Sequence, residues 1–321
     1  MTFEQAHQRI EEELSKINFK TQPELLYAPI AYTLEAGGKR IRPSLCLMAC
    51  DALGGDVKTA VNAAIALEIF HNFTLLHDDI MDNDDMRRNR PTVHKKWNNN
   101  IAILSGDAMQ ILAYKYITKL PIEYLKPVLK VFNDTAIKVC EGQQFDVDFE
   151  TSEKVSVDDY IMMIEYKTAV LIEASLKIGA IVAGASHEEI ELFGKFGSNL
   201  GLAFQFRDDW LDTFGEEEAL GKAIGSDIIN NKKTYLLITA LQMAAGDLYK
   251  ELWDCLYNEN CNNEKKIAKV KAIFQQLGID ELTQRQTERY YEASITALNQ
   301  LEIKDKEVFL TLAERLLKRS K

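Results

Sequence analysis

The sequence predicts an all-α fold in a single domain spanning residues 1–321, on three observations. All six prolines fall at or before Pro127, so everything downstream lacks that helix breaker. Runs such as "AAIALEIFHNFTLLHD" and "YIMMIEYKTAVLIEASLKIGAIVAGA" are too long and too apolar for single strands, and they read as buried helices. No alternating strand pattern with hairpin turns occurs, and no repeat period, low-complexity linker or composition break divides the chain.

The elements follow in order. The opening "MTFEQAHQRIEEELSKI" carries acids where a secretory signal needs a basic start and an apolar run. Glycine pairs in "GGKR" (37–40) and "DALGGD" (51–56) mark short loops. A buried helix then runs to "LLHDD", another passes through "YKTA", and "LGLAFQF" leads to "RDDWLD". A loop is expected at "DTFGEEEALGKAIGSD" (212–227). Beyond it, apolar residues at three-to-four spacing with charged faces suit outer helices.

Composition bounds the function. The hydrophobic content of 46% and charge of 27% are those of an ordinary soluble globular protein long enough to bury a sizeable core. A net charge of -11 argues against a broad nucleic-acid or anionic-membrane footprint, yet leaves room for a local basic pocket. The five cysteines form no CxxC pair, and Cys46 and Cys50 lack a nearby histidine, so they suit buried small apolar positions. No apolar stretch is expected to reach membrane-spanning length. The expected location is the cytoplasm.

Chemistry concentrates in two acid clusters. "LLHDDIMDNDD" puts Asp78, Asp79, Asp82, Asp84 and Asp85 at the end of an apolar run. Two carboxylates about 5.5 Å apart on a helix face repel by roughly 3 kcal/mol at an effective dielectric of about 20, so something must offset the cost. Asp78 and Asp82 share one helix face. Asp208, Asp209 and Asp212 in "QFRDDWLD" repeat the arrangement. One such cluster reads as a solvated helix end. Two, each beside cations, read as oxygen ligands for a hard divalent ion such as Mg2+, shared with substrate phosphates across a helical cavity.

Basic residues supply the other half: Lys39, Arg40 and Arg42 in "GGKRIRP", Arg87, Arg88 and Arg90 in "MRRNRPT", and Lys222, Lys232 and Lys233 in "GKAIGSDIINNKKT". Guanidinium and ammonium groups bind phosphate, although most surface cations merely snorkel. Lys167 is different, because a charge inside "MMIEYKTAVLIEASL" needs a partner. Carboxylates, metal and cations together describe a diphosphate pocket.

From Gly37 to Lys233 the ordered set "GGKRIRP", "LLHDDIMD", "RRNRPT", "GDAM", "GQQFD", "YKTA" and "GLAFQFRDDWLD" resembles the trans-isoprenyl diphosphate synthases, or polyprenyl synthetases. The resemblance implies a bundle of mostly antiparallel helices around a deep central cavity, and a homodimer. It implies Mg2+, three ions with substrate bound: Asp78 and Asp82 hold ions on an allylic diphosphate, Asp208 a further ion, with Asp79, Asp209 and Asp212 in the same motifs. Arg87, Lys167, Lys222 and Lys232 would contact the allylic diphosphate. Lys39, Arg42, His71 and Arg88 would hold isopentenyl diphosphate in a metal-free pocket. Asn89 and Asn231 stand where many relatives have glycine, and asparagine tolerates a left-handed backbone. Asp84 and Asp85 are expected to be solvated.

The implied reaction ionises the allylic carbon–oxygen bond, shelters the cation from water, and joins it to isopentenyl diphosphate with loss of a proton. Oxygens near Lys167, Thr168 and Gln205 would stabilise the cation. A terpene cyclase usually lacks the second acid motif, and a non-catalytic partner subunit typically loses aspartates; neither loss occurs here. By the same resemblance Phe73 forms the floor that stops chain growth, with Phe70 one turn deeper. Thr74 beside it blocks less than an aromatic residue, which favours a twenty-carbon product over fifteen.

Overall fold

The computed structural model describes residues 1–215, 224–257 and 262–317. Among them the fold is all-α, as the sequence predicts, apart from one short ribbon. The chain forms two compact units, one of 1–136, 171–194 and 299–308, the other of the described residues in 137–170, 195–298 and 309–321.

The first unit opens with α1 (Phe3–Ser15), α2 (Glu24–Glu35), α3 (Ile41–Ala52) and α4 (Val57–Met81), and continues with α5 (Val93–Lys96) and α6 (Asn99–Ile117). Asp56 caps α4 by accepting from the Lys58 N–H at 3.1 Å, so the "DALGGD" loop ends in a helix start. Helix α4 packs against α3 and α6. Every residue from Ala63 to Phe70 is buried, so this helix has no solvent face along its middle and its sequence reads as one continuous apolar run. Contrary to expectation, α4 is long and apolar enough to cross a membrane by length and composition; 72% of its most apolar stretch is buried within the protein, the position of a core helix.

Glu68 is the one charge inside that run, and Arg40 answers it. The Arg40 guanidinium donates to Glu68 and to Glu11 of α1 at 2.6 Å each, and to the Leu34 carbonyl of α2 at 2.6 Å. Arg40 therefore ties α1, α2 and α4 together as a buried structural ion pair.

After α4 the chain makes a two-stranded antiparallel ribbon, β1 (Met86–Arg87) with β2 (Arg90–Pro91). Both central residues are left-handed, Arg88 at φ 52° and Asn89 at φ 59°, the signature of a type I′ hairpin. The sequence hid this hairpin because arginine replaces the usual first turn residue. Asn89 and Asn231 (φ 52°) do adopt the left-handed backbone expected of them.

Helices α7 (Ile122–Thr151), α9 (Val170–Val182) and α10 (His187–Phe214) contribute to both units. The second unit adds α8 (Val157–Ile164), α11 (Ser226–Ile229), α12 (Tyr235–Met243), α13 (Gly246–Tyr257), α14 (Asn263–Gln276) and most of α15 (Ile279–Gln300) and α16 (Glu307–Leu317). Its core gathers Tyr160, Met163, Ile164, Leu202, Phe206 and Tyr235. Helix α10 extends to Phe214, so the expected loop begins later than Asp212.

Candidate active site

Asp78 and Asp79 lie in the last turn of α4 and Asp82 is its C-cap. Asp208, Asp209 and Asp212 occupy the corresponding end of α10. Both clusters thus sit where the helix dipole already disfavours anions and favours cations by about 0.3–1 kcal/mol. Like charge and dipole point the same way: each helix end is built to receive positive charge.

In the first cluster part of that charge is internal. Arg87 Nε donates to Asp79, and its Nη2 lies 3.5 Å from Asp78 and 3.6 Å from Asp84. Burial pushes the Asp79 carboxyl up to about 6, Arg87 opposes this, and Asp78 and Asp84 add to the rise. Lys95 pairs with Asp85 at 2.9 Å, and Asp84 and Asp85 are exposed as expected.

Four of the residues assigned to isopentenyl diphosphate belong to this unit, and three converge. Arg42 Nη1 donates to His71 Nε2 at 3.2 Å, while Arg42 Nε is buried without a partner. Arg88 donates to the Gly37 carbonyl and to Asn72 at 3.4 Å. A side chain on Gly38 would collide with the Arg88 guanidinium, so "GGKR" clears space for this arginine. Burial and the nearby Arg42, Arg88 and Arg87 hold the His71 imidazole well below its usual range, and burial lowers Arg42 to about 10. Crowded cations, a neutral histidine and an orphaned guanidinium donor are groups that could hold an anion. Lys39 is exposed beside it in sequence.

The second unit supplies another basic group. Lys167 and Thr168 lie in a π-helical turn, Glu165–Ala169, between α8 and α9. Such widened turns recur at functional sites because they re-aim side chains. A side chain on Gly142 of α7 would strike the backbone of Tyr166 and Lys167, so the glycine of "GQQFD" lets the two segments close. Lys167 finds its partner in Asp146 at 2.6 Å, and Lys232 lies 3.6 Å from the same carboxylate. Burial raises Asp146, but Lys232 and Lys167 outweigh it and hold the carboxyl below its usual value. Nothing in "GQQFD" itself gives Asp146 this role; the lone Lys167 inside an apolar run is the signal that such a partner exists. Lys222 lies outside the described residues.

Of the second acid cluster, Asp208 is half-buried, while Asp209 and Asp212 are buried and committed. Asp212 accepts from the Ser226 hydroxyl at 2.6 Å and the Asp227 N–H at 3.0 Å, tying α10 to α11. Asp209 accepts from Tyr160 at 2.5 Å and Gln205 at 2.9 Å. Gln205 in turn accepts from the Thr168 hydroxyl at 3.1 Å. Among the described residues no three His, Cys, Asp or Glu side chains converge on one point. Mg2+ needs no such cage, since it keeps waters and binds through one or two carboxylates plus substrate phosphates, so the oxygen donors present fit it.

Phe73 and Phe70 are buried in an aromatic stack. Phe73 meets the His77 ring edge-on at 4.8 Å and Phe70 at 5.5 Å; Phe70 meets Phe132 at 5.1 Å, and Phe132 meets Tyr114 at 5.2 Å. The Thr74 hydroxyl donates to the His71 carbonyl at 2.8 Å.

Comparison with known proteins places these groups in context. The polyprenyl synthetase family pattern matches residues 23–277. The chain is 44% identical over 225 residues to a geranylgeranyl diphosphate synthase of Methanosarcina mazei, covering 69% of each chain. It is 39% identical over 237 residues to a geranylfarnesyl diphosphate synthase of Natronomonas pharaonis, covering 68% of this chain and 70% of that one. A crystal structure of a geranylgeranyl pyrophosphate synthase superposes with a TM-score of 0.94 at 44% identity, covering 100% of both chains.

Proposed function

The chain belongs to the polyprenyl synthetase family and is a short-chain prenyltransferase, and on that premise we propose that it makes geranylgeranyl diphosphate from isopentenyl and allylic diphosphates. The observation that carries the assignment of sites is the unpartnered Arg42 Nε among Arg87, Arg88 and neutral His71. A site that assembles this much positive charge around a spare donor suits a diphosphate. Arg42, His71 and Arg88, with Lys39, hold isopentenyl diphosphate. Lys167, Lys222, Lys232 and Arg87 hold the allylic diphosphate.

Asp78 and Asp82 in one cluster and Asp208 in the other are the Mg2+ ligands, for three ions with substrate bound; Asp79, Asp209 and Asp212 support them. Mg2+ supplies charge stabilisation for the departing diphosphate when bound. Lys167 and Lys232 add theirs, which grows in value as the allylic carbon–oxygen bond breaks. Thr168 and Gln205 present oxygens to the allylic cation, and apolar side chains keep water from it. The double bond of isopentenyl diphosphate attacks, and the proton lost goes to the released diphosphate.

Phe73, backed by Phe70, sets the floor. Thr74 leaves more room than an aromatic residue would, which favours twenty carbons. The whole chain acts as one catalytic domain, and α7 and α10 run unbroken through both sets of residues. It works in the cytoplasm as a homodimer: Leu104 and Ile111, two turns apart on α6, are 59% and 61% exposed, an apolar stripe that a second copy would cover. Purified protein given isopentenyl and farnesyl diphosphates with Mg2+ tests the proposal; the product expected by mass is geranylgeranyl diphosphate. Recovery of unreacted substrates would refute it.

A further inference from the structure

We propose that Tyr160 is a positioning residue for the ionisation step, acting through Asp209 and Gln205 on the hydroxyl of Thr168. The proposal rests on the reading above, in which Thr168 and Gln205 face the allylic cation. Four side chains form one hydrogen-bonded line. The Tyr160 hydroxyl donates to Asp209 Oδ2 at 2.5 Å, and Gln205 Nε2 donates to Asp209 Oδ1 at 2.9 Å. The Thr168 hydroxyl donates to Gln205 Oε1 at 3.1 Å.

The bonds run one way along the line. Both Asp209 oxygens accept, and a carboxamide has one accepting and one donating end. Were the Gln205 amide turned over, its oxygen would face the Asp209 oxygen and its nitrogen would face Thr168. With both Asp209 oxygens accepting, the Gln205 amide turns its nitrogen to Asp209 and its oxygen to Thr168. Thr168 therefore spends its single proton on Gln205, and its lone pairs are what remain. A hydroxyl fixed in that sense offers only negative charge to a developing carbocation and cannot donate to it. Tyr160 anchors the far end. It is fully buried, its ring edge-on to Phe206 at 5.7 Å. It also sits on α8, which leads directly into the π-helical turn that carries Thr168.

A double-mutant cycle tests this. Tyr160→Phe removes one oxygen and should lower kcat about tenfold or more while KM for both diphosphates stays within about twofold, since only the transition state feels the loss. In a Gln205→Leu background, where the line is already cut, Tyr160→Phe should change kcat by less than about twofold. Penalties that multiply, a KM rise in place of a kcat fall, or Tyr160→Phe turning over like wild type would each overturn the relay. Gln205→Leu retaining full kcat would instead overturn the role given to Gln205, and the relay with it. Should Tyr160→Phe not fold, Tyr160→Met enters the same cycle. It is expected to lose kcat only when Gln205 is present, and a penalty that persists without Gln205 refutes the relay.

Discussion

Arg42 donates through Nη1 to Nε2 of His71 at 3.2 Å, which leaves the imidazole proton on Nδ1 and the ring neutral. Burial and the surrounding arginines lower the His71 value from the ordinary 6.5. The unfolded chain takes up a proton there as pH drops through 6.5, and the folded protein does not. Stability from this group is thus complete above pH 6.5 and is lost as pH falls below it. Urea unfolding at pH 7.5 and pH 5.5 should show a smaller pH effect in His71→Asn than in wild type. An equal effect would mean that His71 protonates freely in the folded protein.

The two basic groups make separate predictions. Arg42→Ala should raise KM for isopentenyl diphosphate far more than for the allylic substrate, and Lys232→Ala should do the reverse. Each loses one charge-assisted contact, roughly 1.5–3 kcal/mol, or about tenfold to a hundredfold in affinity. Steady-state kinetics that show equal effects of both variants on both substrates would refute the partition.

Much of this was legible in the sequence, for physical reasons. Helix α4 is buried all round, so its residues read as an apolar run, and the aspartates at its end broke that run where the helix stops. Lys167 announced a missing partner, though nothing in local spacing named Asp146, which lies 21 residues away on α7. The π-helical turn leaves no composition signal, because it inserts a residue into a helix without changing residue type. Arg40 looked like one more phosphate ligand in "GGKRIRP"; only the buried Glu68 opposite it shows a structural role. The hairpin at Arg88–Asn89 escaped because the left-handed arginine is held by the Gly37 carbonyl, a tertiary contact.

The proposed floor at the aromatic stack makes a prediction about product length. Phe73→Ala should lengthen the product by one or more isoprene units, and Phe70, next in the stack, should then limit growth. The Phe73→Ala substitution should also cost about 3–5 kcal/mol of stability, because the ring is buried. Chromatography of the dephosphorylated alcohols reads the outcome. An unchanged length would place the floor at other residues.

We propose that Asp78 and Asp208, at the ends of α4 and α10, serve Mg2+ rather than the fold. Turnover with saturating substrates and Mg2+, measured for Asp78→Ala and Asp208→Ala beside their melting temperatures, tests it most directly. Loss of metal-assisted charge stabilisation is worth several kcal/mol, so both variants should fall about a thousandfold or more. Their melting temperatures should hold or rise, since each removes an acid from a like-charged helix end. Wild type should lose activity to a chelator and regain it with Mg2+. Near-wild-type turnover in either variant would contradict the account.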